Sequence, residues 1–124
     1  MKVLALDYGS ARTGVAVSDP TGTIARPVTT IQHVTRPDGR KRLLALIRAE
    51  RPDTVVVGLP LTLKGERGLQ AAETDEFVAV LRAELDVPVE LFDERFTSVL
   101  AGGDDARAAA HLLSTYLEWL SAGS

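Results

Sequence analysis

The chain has 124 residues, 45% hydrophobic and 25% charged, with no cysteine, a formal net charge of -3 and a pI near 5.3. Such a length and composition fit one globular domain over 1–124. The missing cysteines exclude disulfides, thiolate zinc sites and cysteine nucleophiles, and the mild acidity weighs against coating nucleic acid through charge alone.

Val3, Leu4, Ala5 and Leu6 form a continuous apolar run that predicts a strand buried on both faces. The run ends on Asp7. Gly9 and Gly14 mark a tight reversal, and Val15, Ala16 and Val17 run back as a second strand. Burying a lone ionised carboxylate is costly, so Asp7 needs a cation, a donor or a proton. Two readings fit it: an Asx-type turn that accepts backbone N–H groups, and a metal or phosphate site. Because Asp7 and the glycines interrupt the first apolar run, no signal-peptide architecture is expected. No stretch has the length and apolarity of a membrane span. The expected setting is the cytoplasm.

After the turn at Asp19-Pro20-Thr21-Gly22, Ile24, Val28 and Ile31 predict a third antiparallel strand over 23–31. Pro27 makes it an edge strand or an irregular one. His33 follows on a connection and reads as a surface residue. Asp38 is the expected N-cap of the first helix. Leu43, Leu44, Leu46 and Ile47 form that helix's apolar stripe, with the basic residues opposite. Arg36, Arg40, Lys41, Arg42, Arg48 and Arg51 cluster in this third of the chain, as a phosphate-binding surface or as solvated arginines.

Residues 54–57 predict a second buried strand, reached by a crossover to a parallel partner. Residues 61–68 read as a loop, a flexible connector or one that approaches phosphates through backbone N–H groups, Lys64 and Arg67, and 69–85 as a helix with Phe77, Val78, Leu81 and Leu85 inward. A third parallel strand spans 87–92 and leads into Asp93-Glu94-Arg95. The last helix is expected over 105–120, with Ala108, Ala109, Leu112, Leu113 and Tyr116 inward. Trp119 is expected to pack the end of that helix rather than to stack on a ligand. The element order is β-β-β-α-β-α-β-α.

Three acids stand out. Asp7 and Glu94 lie at the carboxyl ends of parallel strands, where open α/β sheets bind ligands. Asp105 opens the last helix on its core-facing side, because the inward positions follow it at helical spacing. Such carboxylates suit hard divalent ions that also take phosphate oxygens. Two ions about 3.5–4 Å apart activate water and stabilise the leaving oxygen in phosphodiester hydrolysis. A structural reading stands beside this one. Asp105 suits a helix first turn, and Asp93 and Glu94 could pair with Arg95.

These residues also carry a resemblance. Asp7-Tyr8-Gly9-Ser10-Ala11-Arg12-Thr13-Gly14, then Val57-Gly58-Leu59-Pro60, then Asp93-Glu94-Arg95-Phe96-Thr97-Ser98, then Asp105-Ala106-Arg107-Ala108-Ala109 stand in order along almost the whole chain. The set resembles the YqgF (RuvX) family of RNase H-like nucleases. The resemblance implies an α/β fold of the RNase H-like (RuvC-like) type, with a central mixed five-stranded sheet of three antiparallel N-terminal strands plus two parallel ones, flanked by helices. It implies hydrolysis of RNA or DNA with Mg²⁺ or Mn²⁺. Family members are described as Holliday junction resolvases and as nucleases maturing the 5′ end of the 16S ribosomal RNA precursor. By position, Asp7, Glu94 and Asp105 would be the catalytic metal ligands, and Arg12, Lys64, Arg95 and Thr97 would be substrate contacts. The segment between Ser98 and Asp105 is shorter than is usual in the family, which bears on nucleic-acid contacts and on how Asp105 reaches the metals.

Two other functions compete with the nuclease. One is a nucleic-acid-binding module without catalysis, which would bind but never cut. The other is an actin-like nucleotide-binding domain, whose phosphate hairpin also begins D-x-G but which needs two domains around its nucleotide. A homodimer is compatible with the sequence, and no feature of it requires one.

Overall fold

In the computed structural model, which describes residues 1–59, 69–93 and 105–123, the apolar residues sort into two layers on either side of one sheet. The strands are β1 (Val3–Asp7), β2 (Arg12–Ser18), β3 (Ala25–Gln32), β4 (Thr54–Leu59) and β5 (Val89–Asp93). The helices are α1 (Pro37–Glu50), α2 (Leu69–Glu84) and α3 (Asp105–Ser121). The sheet order is β3-β2-β1-β4-β5. The β1–β2 and β2–β3 pairs are antiparallel, and the β1–β4 and β4–β5 pairs are parallel. This is the mixed five-stranded sheet that the sequence predicts.

Period-two alternation assigns each strand residue to a face. Leu4, Leu6, Val15, Val17, Val55 and Val57 face the side covered by α1 and α2, where Leu43, Ile47, Phe77 and Leu81 meet them. Val3, Ala5, Ala16 and Val56 face α3, packing against Ala109, Leu112, Leu113, Tyr116 and Leu117. Under α3 the residues of β1 and β2 are small, which lets that helix approach the sheet closely. β1 and β4 are buried on both faces, so they read as unbroken apolar runs.

Three local expectations are corrected. Asp38 does not cap α1. Pro37 takes the first helical position, extended Arg36 (φ -87, ψ 152) is the cap residue without a side-chain bond, and Asp38 lies in the first turn, where an acid suits the helix dipole. The third strand begins at Ala25, leaving Ile24 outside it and 66% exposed. β5 begins at Val89: Pro88 accepts the Val55 N–H through its carbonyl but has no N–H of its own to give the ladder. The expectation for Pro27 holds. β3 is an edge strand, and the register skips Val28, since Val15 pairs with Thr29 and Ala16 with Pro27.

The β2–β3 hairpin is tied by Asp19. Its carboxylate accepts the N–H groups of Thr23 (2.7 Å) and Ile24 (2.9 Å) and the Thr21 hydroxyl. These donors, the Ile24 N–H foremost, hold the Asp19 carboxyl well below the usual carboxylate range. A lowered folded-state pKa contributes stability above the unfolded value of about 3.9, and that contribution fades as pH falls toward the folded value. Asp19→Ala is therefore expected to lower the melting temperature at neutral pH. The deficit should shrink below about pH 4, where the unfolded-state carboxyl protonates. Thermal melts across the acid range check both parts.

Chain direction places the carboxyl ends of β1, β4 and β5, the start of β2 and the end of β3 at one rim. The N-termini of the helices return to the same rim.

Candidate metal centre at the carboxyl rim

The turn from β1 to β2 is locked from inside. Buried Thr13 donates its hydroxyl to the Gly9 carbonyl (3.2 Å) and accepts the Gly9 N–H (3.4 Å). That lock fixes Asp7 at the end of β1. Val3 and Ala5 face α3, so alternation places Asp7 on the α3 side as well.

Asp7 pairs across the ladder with Gly14. On its α3 side, Gly14 meets the first turn of α3. A β-carbon built there would lie 1.7 Å from the Asp105 carbonyl oxygen and 2.9 Å from the Ala106 nitrogen. No residue but glycine fits this contact. Asp7 and Asp105, nearly a hundred residues apart in sequence, therefore flank the same glycine.

Arg12, which opens β2, places its Nε 3.2 Å from Asp105 Oδ2. The arginine side chain is 58% exposed and the aspartate 25%. An ion pair this open contributes about 0–1 kcal/mol to stability. It links the start of β2 to the start of α3. On the other face of the sheet, Tyr8 stacks on Phe77 with ring centroids 4.4 Å apart and planes 18° from parallel. Burial, with Glu73 and Glu76 nearby, pushes the Tyr8 phenol upward. This stack anchors the strand end that carries Asp7.

Of the expected site residues, Asp7, Arg12 and Asp105 come together. Glu94, Lys64, Arg95 and Thr97 lie outside the described residues. Among the described residues, no three His, Asp or Glu side chains gather as a metal-binding group. Asp7 and Asp105 supply carboxylate oxygens, the donor type that hard divalent ions take. Sequence reasoning missed the role of Gly14. Its only signal was a glycine in a strand, which marks a close backbone approach.

This five-stranded mixed sheet with its three helices is an α/β fold of the RuvC-like type. The Thermus thermophilus RuvC structure in complex with a Holliday junction substrate superposes with a TM-score of 0.65 at 20% identity, covering 100% of this chain and 97% of that one. The Fowlpox virus resolvase in complex with Holliday junction DNA gives a TM-score of 0.62 at 13% identity, covering 97% of this chain and 99% of that one. The chain belongs to the RuvX family, described as Holliday junction resolvase, whose pattern matches residues 1–119. Two relatives are provisionally named pre-16S rRNA nucleases. The one from Roseiflexus sp. is 49% identical over 100 residues, covering 81% of this chain and 71% of its own. The one from Maridesulfovibrio salexigens is 35% identical over 132 residues, covering 94% and 98%. That second alignment is longer than the 124 residues here, so the relative carries residues that this chain lacks.

Proposed function

We propose that this protein is a nuclease that hydrolyses phosphodiester bonds in structured nucleic acid with Mg²⁺ or Mn²⁺, held by Asp7, Glu94 and Asp105. The observation that supports this reading is the shared contact at Gly14, whose ladder partner is Asp7 and which meets the Asp105 backbone on its α3 side. Glu94 is the third ligand of the proposal. It directly follows Asp93, the last residue of β5. When bound, such an ion polarises the phosphoryl oxygen and makes water a competent nucleophile near neutral pH.

The chain's own groups have separate tasks. Asp7 and Asp105 offer oxygen donors from two rigid elements, a strand end and a helix start. Arg12 balances the charge of Asp105 and is exposed enough to turn its guanidinium toward a phosphate. Arg36 and Arg40, at the start of α1 on the same rim, extend the positive surface. Lys64, Arg95 and Thr97 complete the proposed substrate contacts. Two substrates follow from the names of the relatives and of the family: the 5′ end of pre-16S rRNA, and branched DNA such as a Holliday junction. Processing of a ribosomal precursor would place the protein in the cytoplasm. No helix among the described residues is long and apolar enough to cross a membrane.

A cleavage panel tests the proposal. It comprises four-way junction DNA, single-stranded DNA, and RNA carrying the pre-16S 5′ leader, each with Mg²⁺, with Mn²⁺ and with EDTA. The expected result is metal-dependent cutting of the leader RNA or the junction, abolished by EDTA. Failure to cut any of the three with either ion would overturn the reading.

A further inference from the structure

α3 carries a second feature, at its other end. Trp119 packs the helix end as expected, yet it stays 44% exposed. It belongs to a ring cluster with Phe92 and Tyr116. Phe92 lies 5.3 Å from Tyr116 at 84° and 5.8 Å from Trp119 at 59°, and Tyr116 lies 6.0 Å from Trp119 at 31°. Trp119 and part-exposed Phe92, with Tyr116 itself buried (3% exposed), line a groove of about 500 Å³ between α3 and the edge strand β5, with Arg82 and Glu90 at its border.

Two hydrogen-bonding side chains of the groove are engaged within the fold. The Tyr116 hydroxyl donates to Glu90 Oε2 at 2.6 Å. Arg82 donates from Nε (3.0 Å) and Nη2 (2.7 Å) to the Val89 carbonyl. What the groove offers a ligand is therefore aromatic surface beside a fixed guanidinium. The pairing Leu6–Val57–Leu91 places Asp7, Gly58 and Phe92 in the next row of the sheet, and Gly58 itself pairs with Phe92. Asp7, Gly58 and Phe92 all belong to the α3 face by alternation. Two strand spacings separate Asp7 from Phe92, about 10 Å, and Gly58 has no side chain to stand between them.

We propose that the Phe92–Tyr116–Trp119 groove is a stacking site for unpaired nucleobases of the strand whose phosphate lies at the acid rim. The inference rests on the nuclease reading for its ligand class. Two features favour a base over other occupants: the exposed ring of Trp119 beside part-exposed Phe92, and the place of Phe92 two strands from Asp7 in the same sheet row. Stacking of this kind tolerates any base and suits a single-stranded segment flanking the cut. It assigns Trp119 a positioning role that the helical pattern alone does not reveal.

The chain has one tryptophan, so tryptophan emission, excited at a wavelength where tyrosine does not absorb, reports on this groove. The full chain in EDTA is titrated with an oligothymidylate of about twelve nucleotides, within the usual single-strand site sizes, and with an abasic oligomer of equal length. The expected result is saturable quenching by the base-bearing strand only. Trp119→Ala should weaken binding, read by anisotropy of a labelled strand, by about 5- to 150-fold, and Trp119→Phe should recover most of it. Equal affinity for the abasic and base-bearing strands would overturn the proposal. So would quenching that rises with protein concentration alone alongside a dimer mass in sedimentation, because it would assign the groove to a second copy. The two readings fail separately. Quenching without cutting in the cleavage panel removes the nuclease and keeps the groove, whereas cutting without base-dependent quenching removes the groove and keeps the nuclease.

Discussion

Gly14→Ala is expected to damage both stability and cleavage. The added methyl would stand 1.7 Å from the Asp105 carbonyl oxygen and 2.2 Å from its carbon. Both are backbone atoms, so no side-chain rotation relieves the overlap. Either β2 bends or the first turn of α3 lifts away. Overpacking a core typically costs about 1–3 kcal/mol and occasionally more, and backbone against backbone lies at the upper end of that range. A loss of roughly 3 kcal/mol corresponds to a drop in melting temperature on the order of 10 °C for a domain of this size. Cleavage should fall as well, at a temperature where the variant is still folded, because lifting α3 carries Asp105 away from Asp7. A variant with unchanged melting and unchanged cleavage would show that the helix does not rest on this glycine.

Asp7→Asn is expected to act on chemistry with little effect on folding. The change keeps the side-chain shape and removes the charge and one carboxylate oxygen at the end of β1. Removing a group that only orients a metal ligand costs roughly 10–100-fold in affinity or activity. Loss of a ligand itself should exceed the upper figure. Cleavage with saturating Mn²⁺ should drop by more than about 100-fold, and Mn²⁺ binding by calorimetry should weaken in parallel. The melting temperature in EDTA should stay near that of the parent. Cleavage at the parent's rate would remove Asp7 from the proposed centre.

The two experiments separate architecture from chemistry. Gly14 has no group that can touch substrate, so its effect can run only through the position of α3. Asp7→Asn keeps the side-chain shape, so its effect runs through the charge at the rim. Arg12 stands between these cases, since it touches Asp105 directly and is exposed to substrate.

The unbroken apolar runs of β1 and β4 were legible because strands covered on both faces have no polar side to interrupt them. The stripe of α1 was legible for the related reason that Leu43, Leu44 and Ile47 recur at helical spacing and are buried. The cap of α1 was misread because Asp38 has the chemistry of a cap, while Pro37 fixes the backbone one residue earlier. Asp7 and Asp105 could be singled out as acids at element ends. The contact that joins them could not, because it depends on how close a helix lies to a strand and no periodicity encodes that distance. Trp119 shows the same limit. Helical spacing puts it three residues beyond Tyr116, on the same side, and does not say how far the sheet extends beneath it. The sheet ends at β5, so the ring projects past the packed core.

The short turn between α2 and β5 contains exposed Asp86, at the end of the sheet away from the acids. With no cysteine in the chain, Asp86→Cys would create a unique thiol there. A dye or a surface tether could be attached at that point with the rim left facing solution, so individual molecules could be watched at work without an obstruction over the business end.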